Sequence, residues 1–391
     1  MKPPSQKRTT NAPDQTPYIS TFDFRLSTFQ ISLIMLTLKI INGTLIDGSG
    51  NEPRRSDVGV TGDSITAIGD LSEAEASRTI DAGGSVVCPG FIDVHTHSDT
   101  YLLIEPTAPS KLHQGITTEV CGNCGASAAP VSSFEHLPSD WADKDYPTTW
   151  STMAEYRSLI EKQGIGVNVA MLVGHNTLRR SIVGYDNRPA TGDELAEMIR
   201  MTEESFEAGA HGITTGLVYA PGMFAPREEI VALASIAARY DGLYGSHMRS
   251  EGDALLEAIE EAMTIGREAG TRVQISHLKV AGRTNWHKRD EALAMIRSAR
   301  ERGERVASDR YPYTAGATDL DVVFPEWAAA GGRAAILERL SETASCERLR
   351  SELVDSRPRE DWGCVLVGST THPDNTRFRG QTLIDVANQL E

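Results

Sequence analysis

Between Phe91 and Tyr313 the sequence passes through seven short apolar segments, FIDVHTH, ITTEV, VNVAMLVG, GITTGLVY, LYGSHM, VQISHLK and VASDRYPY, most of them separated by a helical pattern. Short strands that alternate with helices pack as a parallel sheet with helices outside it. Thr191 and Glu194 have capping-box spacing, and Leu195, Met198, Ile199, Thr202 and Phe206 follow along one helical face. Pro226 stands where a first helical residue is expected, ahead of the stripe Ile230, Leu233, Ile236 and Tyr240. A third stripe, Leu255, Leu256, Ile259 and Met263, is closed by Gly270. The pattern predicts an α/β fold, a (β/α)8 TIM-type barrel spanning 90–391 whose last strand is missing, since seven is one short of closure. Such barrels carry their chemistry at the C-terminal strand ends.

Ahead of this stretch, LTLKIINGTLI, DVGVTGDSITAIG and RTIDAGGSVV alternate with period two around turn residues such as Gly62-Asp63. They predict antiparallel hairpins, part of a small β-sandwich-like domain over 35–89. Residues 1–34 read as a disordered extension, because the apolar patch Phe29 to Leu38 ends without a small-residue cleavage site. No uncharged apolar run approaches the roughly 18 residues that span a bilayer. A net charge of -16 repels phosphate backbones and anionic lipid, so neither nucleic acid nor membrane is expected as a partner. Five cysteines, an odd number in a long chain, argue against a secreted disulfide scaffold and for a cytoplasmic location.

His95 and His97 close the first barrel strand, and residues two apart on an extended chain project to one side, where both imidazoles can reach one metal. Asp93 is available as an outer carboxylate to orient a ring. Cys121 and Cys124 form C-G-N-C directly after the second strand, with neither a thioredoxin-like setting nor a second CxxC. One thiolate, Cys124, is therefore expected as a metal ligand in the turn made by Gly122 and Gly125, with Cys121 a buried spacer. His247 and His277 end two successive strands in GSHMR and ISHLK. His113, His136, His211, His287 and His372 show no such register and read as surface or structural. His175 is open between lining a pocket and a structural role. Zinc lowers the pKa of water from 15.7 to about 7, so hydrolysis of an amide is the natural reaction for such a set.

Taken together, GFIDVHTHSD, GITTEVCGNCGASAAP, GHNTLR, GITTGLVYAPG, YGSHMRSEGD, QISHLK and DRYPYTAGATDL resemble the amidohydrolase superfamily and, within it, the N-acyl-D-amino-acid deacylase (D-aminoacylase) family. The resemblance implies a Zn2+ held tightly by Cys124, His247 and His277, a weaker second site at His95 and His97, and substrate contacts from Tyr219, Arg249 and Lys279. It also implies a small-molecule N-acyl amino acid as substrate and a preference for the D form. Cyclic amidases and deaminases of the superfamily use the same histidines and are the alternative. The family's general-base Asp ends an eighth strand, which the resemblance places beyond Glu391. The apolar run Cys364 to Gly368, with Asp374 nearby, could pass for that strand, but the resemblance assigns it to an excursion. The chain thus reads as cut short. A metal-binding but inactive product is the expectation from another class, with two unpaired sheet edges that favour aggregation.

Overall fold

The computed structural model describes residues 35–390 apart from 357, 358 and 371, and the extension read over 1–34 lies outside them. The chain divides into two units, Met1–Pro89 and Gly90–Glu391.

In the first unit, β1 (Leu38–Ile41), β2 (Thr44–Leu45), β3 (Arg54–Arg55), β4 (Asp57–Thr61), β5 (Ser64–Gly69), β6 (Thr79–Asp81) and β7 (Val86–Val87) form two small sheets. Their orders are β5-β4-β1-β6 and β3-β2-β7. Gly62, at φ 65°, makes the tight turn that pairs β4 with β5 antiparallel, as the alternation predicts. The last two strands differ from the hairpin expectation. β6 lies parallel to β1 and β7 parallel to β2, because the long return from β5 lets the chain re-enter in the same direction.

The second unit is built on one sheet of seven strands. These are β8 (Phe91–Asp93), β9 (Ile116–Cys121), β10 (Asn168–Gly174), β11 (Gly212–Gly216), β12 (Leu243–His247), β13 (Arg272–Ile275) and β14 (Val306–Ser308), in chain order and parallel throughout. The sheet curls: β8 and β14 are its two edges, yet His95 just past one and Asp309 just past the other stand 3.2 Å apart, Nδ1 to Oδ1. All seven C-terminal ends therefore face one region.

Helices cover the sheet as their stripes require. Thr152 with Glu155 and Thr191 with Glu194 make complete capping boxes for Met153–Gln163 and Gly192–Glu207. Pro226 is the N-cap of Arg227–Arg239 rather than its first residue, a shift of one position. Leu233, Ile236, Ile259 and Met263 are buried, whereas Tyr240 is exposed and stacks on Phe206 at 5.2 Å. Gly270, at φ 73°, ends Leu255–Ala269. Among the described residues, the run Cys364 to Gly368 makes one antiparallel bridge, Leu366 to Thr382, and no pairing with the sheet.

His175 is structural. Its Nε2 lies 2.8 Å from Glu229 Oε1, and Arg179 Nη1 donates to Glu229 Oε2 at 2.6 Å, all three side chains being buried. Arg179 Nε also donates to Pro221 O at 3.1 Å, tying His175–Ile182 to the loop after β11. Arg179→Ala leaves a buried carboxylate without its guanidinium, so it should cost about 3–5 kcal/mol in chemical denaturation; a loss below about 1 kcal/mol would show the pair to be dispensable.

Candidate metal centre

The C-G-N-C-G turn after β9 passes very close to its neighbours. A Cβ on Gly122 would come within 2.1 Å of Leu172 O, and one on Gly125 within 2.1 Å of Asn176 Oδ1 and 2.6 Å of Gly216 N. Both glycines also have positive φ, 87° and 74°. Backbone and side-chain hydrogen bonds lock the turn once it is there. Gly125 N donates to Thr214 Oγ1 at 3.1 Å, Thr177 N donates to Gly125 O at 3.1 Å, and Thr214 Oγ1 donates to Gly122 O. Asn176, buried beside the turn, accepts from Gly216 N at 3.0 Å and donates to Gly216 O at 2.9 Å.

Cys124 is thereby held at φ 53°, and His277 at φ 36°, left-handed conformations that cost of order 1–3 kcal/mol each for residues other than glycine. The strain has a visible product. Cys124 Sγ lies 3.2 Å from His95 Nε2 and 3.4 Å from His277 Nε2, and His277 Nε2 lies 3.1 Å from His247 Nδ1. His97 joins from the other side, its ring 5.5 Å from that of His95. Two triplets, His95-His97-Cys124 and Cys124-His247-His277, each hold their donor atoms within 4.8 Å, with the sulfur common to both. All five residues that the sequence singled out are brought together. Cys121, in contrast, is buried as a spacer with Sγ 3.2 Å from Thr96 Oγ1.

The donor set fits zinc. Tetrahedral zinc with its usual bond lengths has donor edges of about 3.3 Å between nitrogens and about 3.5 Å from nitrogen to sulfur. The edges of 3.1, 3.2 and 3.4 Å are of that size. Burial, with the negative charges of Glu251 and Asp309, pushes the Cys124 thiol well above its ordinary pKa, so a thiolate there calls for a cation. Burial brings His247 down to about 3 against the opposing pull of Glu251, which leaves a neutral ring with a free lone pair.

Two carboxylates that the sequence reading passed over face the rings. Glu251 Oε1 is 2.9 Å from His277 Nδ1 and 3.7 Å from His247 Nε2; burial pushes its carboxyl up, but the neighbouring His277, His247 and Lys279 hold it at about 2. Asp309 Oδ1 accepts from His277 N at 2.6 Å and stands 3.2 Å from His95 Nδ1, out of line for a hydrogen bond. Asp93 does not orient a ring. Its Oδ1 accepts from the backbone N of His95 at 3.2 Å and its Oδ2 pairs with Lys111 at 2.8 Å, because the strand end turns the carboxylate back along the chain. Asp309, a polar residue just past the seventh strand, could have been found by the rule that found the histidines.

Of the three expected substrate contacts, two border the cluster. The Tyr219 ring meets His247 edge-on at 4.9 Å, with its hydroxyl 2.8 Å from Thr318 Oγ1. Lys279 Nζ donates to Glu251 and stands 2.8 Å from His277 Nδ1. Arg249 points elsewhere: it forks onto Glu261 at 3.0 to 3.2 Å and donates to Met223 O at 2.8 Å and Ala225 O at 3.3 Å, bracing helix Leu255–Ala269 against a loop. Its donors are engaged there because Glu261 lies within reach on that helix. Asp374 is exposed beside His372 and has no part in the cluster.

A model of the amidohydrolase family matches residues 78–338. The chain belongs to the amidohydrolase family. This amidohydrolase is 43% identical over 284 residues to the D-aminoacylase of Alcaligenes xylosoxydans xylosoxydans, covering 72% of the chain and 58% of that protein. It is 42% identical over 285 residues to the N-acyl-D-glutamate deacylase of the same organism, covering 73% and 58%. The chain thus spans less than two thirds of the length of these relatives. The crystal structure of N-acyl-D-glutamate deacylase from Bordetella bronchiseptica, complexed with zinc and a phosphonate mimic of the tetrahedral intermediate, superposes with a TM-score of 0.76 at 35% identity, covering 91% of this chain and 68% of that one. The barrel expectation agrees with these structures.

Gly125→Ala should force the turn off Asn176 and Gly216. The expected result is a fall in thermal midpoint together with a loss of bound zinc by elemental analysis, and a variant with unchanged zinc content would mean that the turn tolerates a side chain.

Proposed function

We propose that this chain carries the metal centre of an N-acyl-D-amino-acid deacylase and hydrolyses the amide bond of N-acyl-D-amino acids to a carboxylate and a free D-amino acid. The observation that carries the reading is one cysteine sulfur shared by two imidazole sets at the strand ends of a barrel. The reaction class and the D form of the substrate come from the relatives named D-aminoacylase and N-acyl-D-glutamate deacylase.

Cys124, His247 and His277 would hold the tightly bound Zn2+, and His95 and His97 would offer a second, weaker position. Zinc supplies a Lewis acid that polarises the amide carbonyl and makes hydroxide available near neutral pH. Lys279 faces the centre as the cation for the substrate carboxylate. Tyr219, whose phenol burial pushes above its ordinary pKa, stays protonated and presents a hydroxyl to the scissile amide. Arg249 supports the loop beneath them. No described helix is long and apolar enough to cross a membrane. The odd number of cysteines in a long chain favours a reducing cytoplasm. The charge of -16 favours a small-molecule partner over nucleic acid.

Two measurements test this. Zinc should be present at about one equivalent by elemental analysis and vanish in Cys124→Ala; a metal-free chain of unchanged stability overturns the assignment. Release of D-methionine from its N-acetyl form, with the L form inert, is expected; turnover of hydantoin alone would move the chain to the cyclic amidases.

A further inference from the structure

β10 and β11 run side by side in parallel, with Leu172 opposite Gly212, Val173 opposite Ile213 and Gly174 opposite Thr214. Two residues further along, that register sets Asn176 opposite Gly216. The backbone of β10 has left the sheet by then, because helix His175–Ile182 begins straight after Gly174. The Asn176 side chain takes over the ladder. Its Oδ1 accepts from Gly216 N at 3.0 Å and its Nδ2 donates to Gly216 O at 2.9 Å, so one carboxamide serves both backbone groups of Gly216 as the peptides of a neighbouring strand would.

Gly216 is where the cysteine turn and the loop bearing Tyr219 meet. A Cβ on it would stand 2.2 Å from Cys124 O and 2.9 Å from Tyr219 Cδ2, so the backbone of the cysteine and the ring of the tyrosine both pack against this one residue. The start of the helix reaches past it to each of them. Asn176 Nδ2 also donates to Tyr219 O at 3.4 Å, and the adjacent Thr177 N donates to Gly125 O at 3.1 Å. The carboxamide has no room to move. It is 4% exposed, and a Cβ on Gly125 would come within 2.1 Å of its Oδ1 and one on Gly222 within 2.6 Å of both Oδ1 and Nδ2.

We propose that Asn176 is a positioning residue of the site, a single carboxamide that ties the cysteine turn to the loop bearing Tyr219 and so fixes the Cys124 sulfur relative to the phenol. The inference rests on the reading of Cys124 as a metal ligand and of Tyr219 as a substrate contact. Asn176 acts through Gly216 rather than on the reacting atoms. Leaving buried backbone groups without their partner shifts the local opening equilibrium by roughly 10- to 100-fold, and here one side chain serves two segments, so both should loosen together.

The test is hydrogen exchange of the full chain, read by mass spectrometry at peptide resolution, with the cobalt-substituted protein read by its thiolate charge-transfer band. Wild type is compared with Asn176→Asp, which keeps the acceptor but sets a carboxylate against Gly216 O and Tyr219 O, and with Asn176→Ala, which removes every bond of the carboxamide. The expected result in both variants is exchange roughly 10- to 100-fold faster over 122–127 and 216–224 together, wild-type rates in β10 and β12, and a shifted or weakened thiolate band. Unchanged exchange in both segments, or a change in one alone, overturns the proposal. A uniform rise that includes β10 and β12 makes Asn176 a structural residue and overturns it as well, as does the failure of both variants to fold; if only one folds, it decides by the same criteria. A thiolate band that stays at its wild-type position and strength while both segments loosen means that the sulfur is fixed elsewhere, and this too overturns it. If wild type itself gives no thiolate band, the metal reading fails, and the exchange pattern still decides whether Asn176 ties the two segments.

Discussion

The centre depends on how closely one turn can approach two strands. Cys124 Sγ meets imidazoles from three other strands because the backbone at Gly122 and Gly125 runs against Leu172, Asn176 and Gly216 with no room for a side chain. Thr214, Thr177 and Asn176 then take up the polar groups that this approach buries, so the turn is both forced inward and satisfied there. The left-handed backbone of Cys124 is a consequence of that packing. It is sustained because several hydrogen bonds over-determine it.

A second constraint is electrostatic. Four imidazoles packed together near the strand ends would repel one another if protonated, and burial keeps His247 neutral with its lone pair available. The carboxylates lie outside the ring of donors, Glu251 behind His277 and His247 and Asp309 behind His95 and the His277 backbone. This ordering, lone pairs inward and negative charge outward, suits a cation at the middle. Buried charge further from the centre follows the same logic of pairing, with Arg179 and His175 both on Glu229, while the half-buried Arg249 is held by Glu261.

Much of this was legible in the linear pattern. Strand-helix alternation is a periodic signal, and each strand end is a fixed place on it, so His95, His97, Cys124, His247 and His277 could be picked out by register. Helix caps at Thr191 and Gly270 were equally plain, because a cap is a local arrangement of a few adjacent residues. The reading failed where the partner was distant. β6 and β7 pair in parallel with strands far back in the chain, Asp93 turns to Lys111 and Arg249 turns to Glu261.

By itself the sequence determined which residue types stand at the ends of successive strands, and therefore the donor set and the class of fold, since period and position are properties of the chain. Only tertiary structure decided which carboxylate faces which ring and which cation remains beside the centre. Those choices depend on the curl that brings Asp309 to His95 across the two edges of the sheet, and on the loop that returns Glu251 to His277. Contacts between residues far apart in sequence leave no period behind, so their geometry appears only when the strands have closed around the site.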